Sequence, residues 1–442
     1  MIELRLGPGL GRAFDSASRA AACRYDRAVT TVGAPASETS LLRYSRWALY
    51  ATVAGLPLYV VRWHYGPIPT TLLEALIVVT VGLYVIARWR EGMRRPLKTQ
   101  YDVPILLLLL AGAVSMVIAA DQRAALGLYR AYFIEPVAIF YVAVDLLRLP
   151  QTARRVVLAL AIGSSLLSIL NLVAVARALA SHSLQVGSAP NALYGDANYV
   201  ALYLDPVVAL AAAFVLFGEG RLRQVGVVWL AVTGLALLLT FSKGAYLALG
   251  VLGLIAVLSL RRWRWPLLAG LVVMAAAIAQ IPPIKDRWST AENSLLGRLE
   301  IFQATVVMIK DHPILGIGLG GFHIRYRGFA TEPYPHNIFL AFWVEVGLLG
   351  LIAFTVILLG LLWRGWRAWP HVDGIYRPAL WGTLLGLLMW IVHGMVDTPY
   401  WKNDMSVEFW LLAAIDVVAL AGIARPAATT PRPEQVPTTI SP

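Results

Sequence analysis

Apolar runs follow one another along almost the whole chain, at about 46–61, 70–87, 103–120, 131–147, 156–176, 197–217, 225–241, 244–260, 266–281, 337–363, 378–396 and 405–424. Each is bounded by charge, Pro or Gly. About 20 apolar residues in a helix cross the hydrocarbon core of a bilayer. Of the 442 residues 59% are hydrophobic and 14% charged, whereas an ordinary soluble domain is about 25% charged. A water-soluble globule is therefore excluded. The runs predict an all-α, polytopic integral membrane protein with about 12 transmembrane helices, one membrane domain over 43–424. Between 225 and 260 the apolar sequence is broken only by Ser242, Lys243 and Gly244, which predicts a tight hairpin.

The basic residues test that count, because every span moves the next loop to the opposite side. With the N-terminus inside, twelve spans place 25 of the 37 Lys and Arg on the cytoplasmic side and 12 outside. The surplus over 25 Asp and Glu is thus read as a membrane topology signal, and no nucleic acid is expected as a partner. Residues 1–42, polar and basic ahead of the first apolar run, predict a cytoplasmic tail and no cleavable signal peptide. The lone cysteine, Cys23, offers no internal disulfide. Residues 425–442, rich in Pro and Thr, predict a disordered cytoplasmic tail. The long connection 282–336 falls outside, with shorter external loops at 121–130, 177–196 and 397–404. Function is expected on that face.

Within the long loop Leu295, Leu296, Leu299, Phe302, Val306 and Ile309 recur at helical spacing beside Arg298, Glu300 and Lys310, predicting an amphipathic helix in the interface that ends at Asp311, His312 and Pro313. Pro335, His336 and Asn337 come directly before an apolar run, which puts His336 at the first turn of a spanning helix. The free N–H groups and dipole there favour a phosphate and keep an imidazole neutral and able to accept a proton. A capping role is the alternative. External cations are Lys243, wedged between two spans, Arg123 and Arg130, and Arg287, Arg298, Arg325 and Arg327. They either line an anionic pocket or contact headgroups.

His393 and Asp397, four apart, fall on one helix face, as a hydrogen-bonded pair or as two ligands of a metal whose third ligand is not identifiable. Glu74, Glu135, Asp205 and Glu345 lie inside spans, where a carboxylate is costly. Glu345 is nine residues from His336 and on the far side of that helix, so it is expected to pair with another helix. Gly316, Gly318, Gly320 and Gly321 lack the Lys and Ser or Thr of a phosphate loop and predict a turn that permits close approach. Tyr194-Gly195-Asp196-Ala197-Asn198-Tyr199 predicts a polar turn, with Asn198 capping the sixth span.

Three segments together resemble the O-antigen ligase and polymerase superfamily of bacterial membrane glycosyltransferases: Thr240–Gly244 (TFSKG), Gly297-Arg298 through DHPILGIGLGGF to His336-Asn337 and Glu345-Val-Gly-Leu-Leu-Gly, and His393-Gly-Met-Val-Asp397. The YGDANYVALYL stretch resembles the family's polar turn before the sixth span. The resemblance implies a fold of the GT-C type in the bacterial inner membrane, with both termini cytoplasmic and a periplasmic active site. It implies transfer of O-antigen glycan from undecaprenyl diphosphate to lipid A-core oligosaccharide by direct inverting displacement, with no nucleotide sugar, cofactor or metal.

In that scheme His336 is the base, Arg298 and Lys243 hold the diphosphate, Asp397 positions or polarises, and Arg123, Arg130 and Asn337 complete the substrate site. Relatives commonly carry Arg at the position of Lys243, and Lys lacks the bidentate fork. A diphosphate leaves readily, so such a reaction asks for cations and one base rather than a strong acid. O-antigen polymerase is the nearest alternative, then protein O-oligosaccharyltransferase. A lipid-linked glycan transporter is expected to show repeated halves and midplane polar sites instead.

Overall fold

The computed structural model describes residues 39–65, 68–92, 97–184, 189–259, 264–280, 291–326 and 333–423. Arg287, Arg327, Cys23, most of the expected N-terminal tail and all of the C-terminal tail lie outside the described residues. Helices α1 (Ser40–Ala54), α2 (Leu72–Arg90) and α3 (Asp102–Ile118) come first, followed by α4 (Gln122–Leu146), α5 (Pro150–Ala180), α6 (Ala197–Phe217) and α7 (Gly220–Leu238). Next come α8 (Lys243–Ser259), α9 (Arg264–Gln280), α10 (Ala291–Asp311) and the short α11 (Gly321–Arg325). The long α12 (Ile338–His371), α13 (Tyr376–Gly394) and α14 (Asn403–Ile423) complete the order. A small antiparallel ribbon of β1 (Arg62–Tyr65) and β2 (Ile68–Thr71) pairs Arg62 with Thr71 and Tyr65 with Ile68.

All twelve apolar runs read from the sequence fall on helices, and α10 appears as expected. Among the described helices α2, α4, α5, α6, α7, α12 and α14 are long and apolar enough to cross a membrane, while α3 is shorter but equally apolar. The protein is thus an all-α polytopic membrane protein. Helices α6, α13 and α14 are buried along most of their length, against one another and α4. By contrast α2 and α3 turn Val78, Val85, Leu106 and Val117 outward. An apolar outer surface is what a hydrocarbon solvent selects.

The expected loop at 121–130 is helical instead. Asp121 accepts the Ala124 N–H at 2.9 Å and starts α4 there, and one widened turn over Arg130–Ile134 carries it into the apolar segment. Arg123 and Arg130 therefore sit on a helix. A charge is tolerated at 130 because Arg130 Nη2 lies 2.7 Å from Glu74 and its Nε lies 3.1 Å from Glu135.

A second widened turn, Phe342–Val346, interrupts α12 close to its start. The skipped backbone bond leaves the Val344 carbonyl free, and it accepts Ile317 N–H at 2.7 Å while Leu348 N–H reaches Ile314 O at 2.9 Å. Approach this close needs glycine. Gly316 (φ 71°) would put a Cβ 2.6 Å from Val344 O, and a Cβ on Gly347 (φ 83°) would strike the Ile314 carbonyl. The glycine-rich turn thus makes the close approach expected of it. Glu345 does not pair with a helix side chain; it accepts the Gly320 and Phe322 N–H groups at 3.2 and 3.4 Å, fixing the glycine-rich segment to α12.

Candidate active site

The structure moves His336 out of the first helical turn. Asn337 is the cap: its Oδ1 accepts the Phe339 and Leu340 N–H groups at 3.0 Å each, and its Nδ2 donates to Met395 O at 3.1 Å. Asn outcompetes His as a cap because its short amide reaches the free N–H groups directly. His336 precedes the cap with φ 49°, a left-handed conformation costing a non-glycine residue roughly 1–3 kcal/mol. That backbone turns the ring toward Asp397, Nδ1 lying 3.4 Å from Oδ1 with the side chain 21% exposed.

Asp397 is the hub of the site. It is buried, yet it accepts Thr398 N–H at 2.8 Å on Oδ1 and the Asn198 amide on Oδ2. Asn198 in turn accepts the Ser242 hydroxyl at 2.5 Å. Burial pushes the Asp397 carboxyl up, but the hydrogen bond and charge of His336, the charge of His393 and the Thr398 N–H outweigh it and hold the group at about 2. A carboxylate ionised at every physiological pH takes the Nδ1 proton of His336 as its partner, which leaves Nε2 as the acceptor. The relay Ser242–Asn198–Asp397–His336 ties the α7–α8 hairpin, the first turn of α6, the segment after α13 and the entry to α12 into one constellation.

His393 and Asp397 do not form the expected pair. Helix α13 ends at Gly394, so the four-residue spacing no longer sets a shared face. His393 turns inward, Nδ1 lying 2.5 Å from Asp205 Oδ2, and Gly244 packs so tightly on the ring that a Cβ there would run into Cδ2 and Nε2. Among the described residues no three His, Cys, Asp or Glu converge as metal ligands. Asn198 is not the cap of α6 either. Asp196 is, accepting the Asn198 N–H at 2.8 Å, and this frees the Asn198 side chain for the relay.

The cations sort into groups. Lys243 opens α8 directly after the relay residue Ser242, which accepts the Ala245 N–H at 3.4 Å. Arg298 lies on the stripe of α10 that also holds Phe302, Thr305 and Ile309, and this stripe packs on Leu340, Trp343 and Val344 at the start of α12. Arg123 stands exposed near the start of α4, and Arg325 Nη1 is 2.8 Å from His312 Nε2. Arg130 is committed to Glu74 and Glu135, whose other oxygens lie 3.4 Å from the Asn403 amide. Sequence reasoning passed over Ser242 and Asn198 as relay members. The presence of Asp196, the better cap two residues before Asn198, was the available signal.

Residues 225–355 match the family model described as O-antigen ligase. Over that segment the chain is similar to the O-antigen ligase family. That segment holds Ser242, Lys243, Arg298, His336, Asn337 and Glu345, while Asn198 and Asp397 complete the relay from either side of it. A Rickettsia conorii protein named as a polysaccharide ligase is 26% identical over 237 residues, 48% of this chain and 54% of that protein. The chain therefore spans about half the length of this curated relative.

Proposed function

We propose that the protein is an O-antigen ligase of the bacterial inner membrane, moving O-antigen glycan from undecaprenyl diphosphate to lipid A-core oligosaccharide at the periplasmic face. The observation that carries this reading is the His336–Asp397 pair, with the partly exposed imidazole engaged through Nδ1, in a chain whose residues 225–355 are similar to the O-antigen ligase family. An acceptor hydroxyl gives its proton to Nε2 as its oxygen attacks the anomeric carbon. The bond from that carbon to the diphosphate oxygen breaks with its electron pair leaving on the diphosphate, and the anomeric centre inverts. Asp397 stabilises the imidazolium that forms, and the proton then passes to water.

Arg298 and Lys243 are assigned to the diphosphate, whose growing charge asks for fixed cations. Asn337 holds the start of α12, on which the position of His336 depends, and Arg123 is placed at the rim. Arg130, neutralised by two carboxylates, is assigned to holding α2 against α4. The test is the lipopolysaccharide ladder of a ligase-deficient host expressing wild type or His336→Ala at equal membrane abundance. Restoration by wild type alone supports the ligase and the base. If wild type instead restores only a polymerase-deficient host, the enzyme is the polymerase and the acceptor named here is wrong.

A further inference from the structure

Two tyrosines beside His336 take no part in the relay. Tyr334 precedes His336 by two residues, so their Cα atoms are at most about 7 Å apart. One segment after α13 receives both side chains: Asp397 Oδ1 lies 3.4 Å from His336 Nδ1, and the Trp401 ring lies 6.1 Å from the Tyr334 ring at a tilt of 34°. Against the same indole stands Tyr132 of α4, 5.9 Å away and edge-on at 90°. Trp401 is fully buried, whereas Tyr132, Tyr334 and His336 are all partly exposed.

The sequence explains why Tyr132 is held there. Pro136, four residues on, has no N–H to give the Tyr132 carbonyl, and the Tyr400 hydroxyl donates to that carbonyl at 2.8 Å instead. The widened turn of α4 is thereby tied to the segment that carries Trp401. At their polar ends the two tyrosines are under-bonded. Their phenol oxygens are 3.4 Å apart, beyond the roughly 2.5–3.0 Å of a good O–H···O bond, and among the described residues neither oxygen makes another hydrogen bond. A phenol both donates and accepts, so the pair keeps hydrogen-bonding capacity in hand.

We infer that Tyr334 and Tyr132 form a subsite for the acceptor sugar that carries the attacking hydroxyl, with Trp401 as the positioning residue behind both rings. This rests on the ligase reading, in which His336 takes the proton of that hydroxyl. A pyranose ring has an apolar C–H face that packs on the negative face of an aromatic ring, and its hydroxyls both give and take hydrogen bonds, as the phenols do. Two uncharged side chains suit such a ring better than a phosphate, which calls for cations.

The test is transfer by the purified full-length protein in nanodiscs, with undecaprenyl-diphosphate-linked O-antigen and lipid A-core varied in turn. It compares wild type, Tyr334→Leu and the double variant Tyr132→Phe with Tyr334→Phe. The double variant keeps both rings against Trp401 and removes the hydroxyls alone. It is expected to raise the KM for lipid A-core about tenfold, the scale of one or two sugar hydrogen bonds, with little change in kcat or in the KM of the donor, the pattern of lost uniform binding. Tyr334→Leu, which removes a ring as well, is expected to raise it further. A rise confined to the KM of the donor overturns the assignment to the acceptor. A fall in kcat with both KM values unchanged makes the tyrosines supports of His336 and overturns the subsite. Unchanged kinetics in both variants overturns it too, while leaving the ligase reading in place. If wild type transfers nothing to lipid A-core, the ligase reading fails and the acceptor subsite fails with it.

Discussion

Two histidine–aspartate pairs sit within a few residues of each other in this protein and behave as opposites. His393–Asp205 is 2.5 Å long, with 1% and 0% of the side chains exposed, and its Nε2 edge is blocked by the backbone of Gly244. His336–Asp397 is 3.4 Å long, and its imidazole is 21% exposed. Pairing an imidazole with a carboxylate is therefore not what makes a base. What differs is the surroundings of the imidazole: Gly244 closes on the His393 ring, while the His336 side chain is partly exposed. The inner pair holds α6 against α13, and in the proposed function the outer one exchanges a proton.

The comparison can be broken first at the outer pair. His336→Ala is expected to reduce transfer by about 10²- to 10⁴-fold, the usual worth of a general base, with unchanged thermal stability in detergent. A parallel loss of melting temperature would make His336 a second structural histidine. Asp397→Asn comes next, with a fall in kcat larger than any change in KM, since the amide no longer fixes the Nδ1–H tautomer.

That variant also carries a pH signature. The Asp397 carboxyl lies at about 2, below its ordinary 3.8, so its contribution to stability is complete above the ordinary value and is lost as pH falls toward about 2. Wild type is expected to lose stability across that window in a melting series, and Asp397→Asn to lack that component.

The inner pair gives the reverse pattern. His393→Ala strands Asp205 in the bundle and is expected to cost about 3–5 kcal/mol, the scale of a broken buried pair. Gly244→Ala should cost roughly 1–3 kcal/mol by overpacking the ring. Both should be read as lowered melting temperature and membrane abundance, with activity per folded molecule preserved for any His393 variant that folds. Ser242→Ala has the smallest effect, about 1 kcal/mol for one relay hydrogen bond, measured as a few-fold fall in kcat.

Much of the fold was open to reading because a bilayer imposes one dominant rule: apolar length makes a helix. All twelve runs, the break at Ser242–Gly244 and the helix ending at Asp311 followed from that rule. The site was legible in its parts, His336 and Asp397 among them, but not in its pairings. Asn198 meets Asp397 across 199 positions and His393 meets Asp205 across 188; local spacing carries no information about either. His393 and Asp397 were assigned to each other by helical periodicity, which stopped applying when α13 ended at Gly394. Arg130 looked available in sequence because its two carboxylates, Glu74 and Glu135, lie in the apolar runs and reach it only through packing.

The widened turn of α12 has a consequence for engineering. The glycine-rich segment before α12 is threaded through that turn, with Ile317 and Ile314 bonded to its backbone and Glu345 bonded to the segment's own N–H groups. Loop and membrane helix are therefore one spliced part rather than a cap set on a base. A chimera that trades the glycine-rich segment for another at the helix boundary cuts through the splice and leaves Val344 O and Glu345 without their donors. A graft joined beyond Gly347, carrying Phe342–Val346 with the loop, transfers the whole joint.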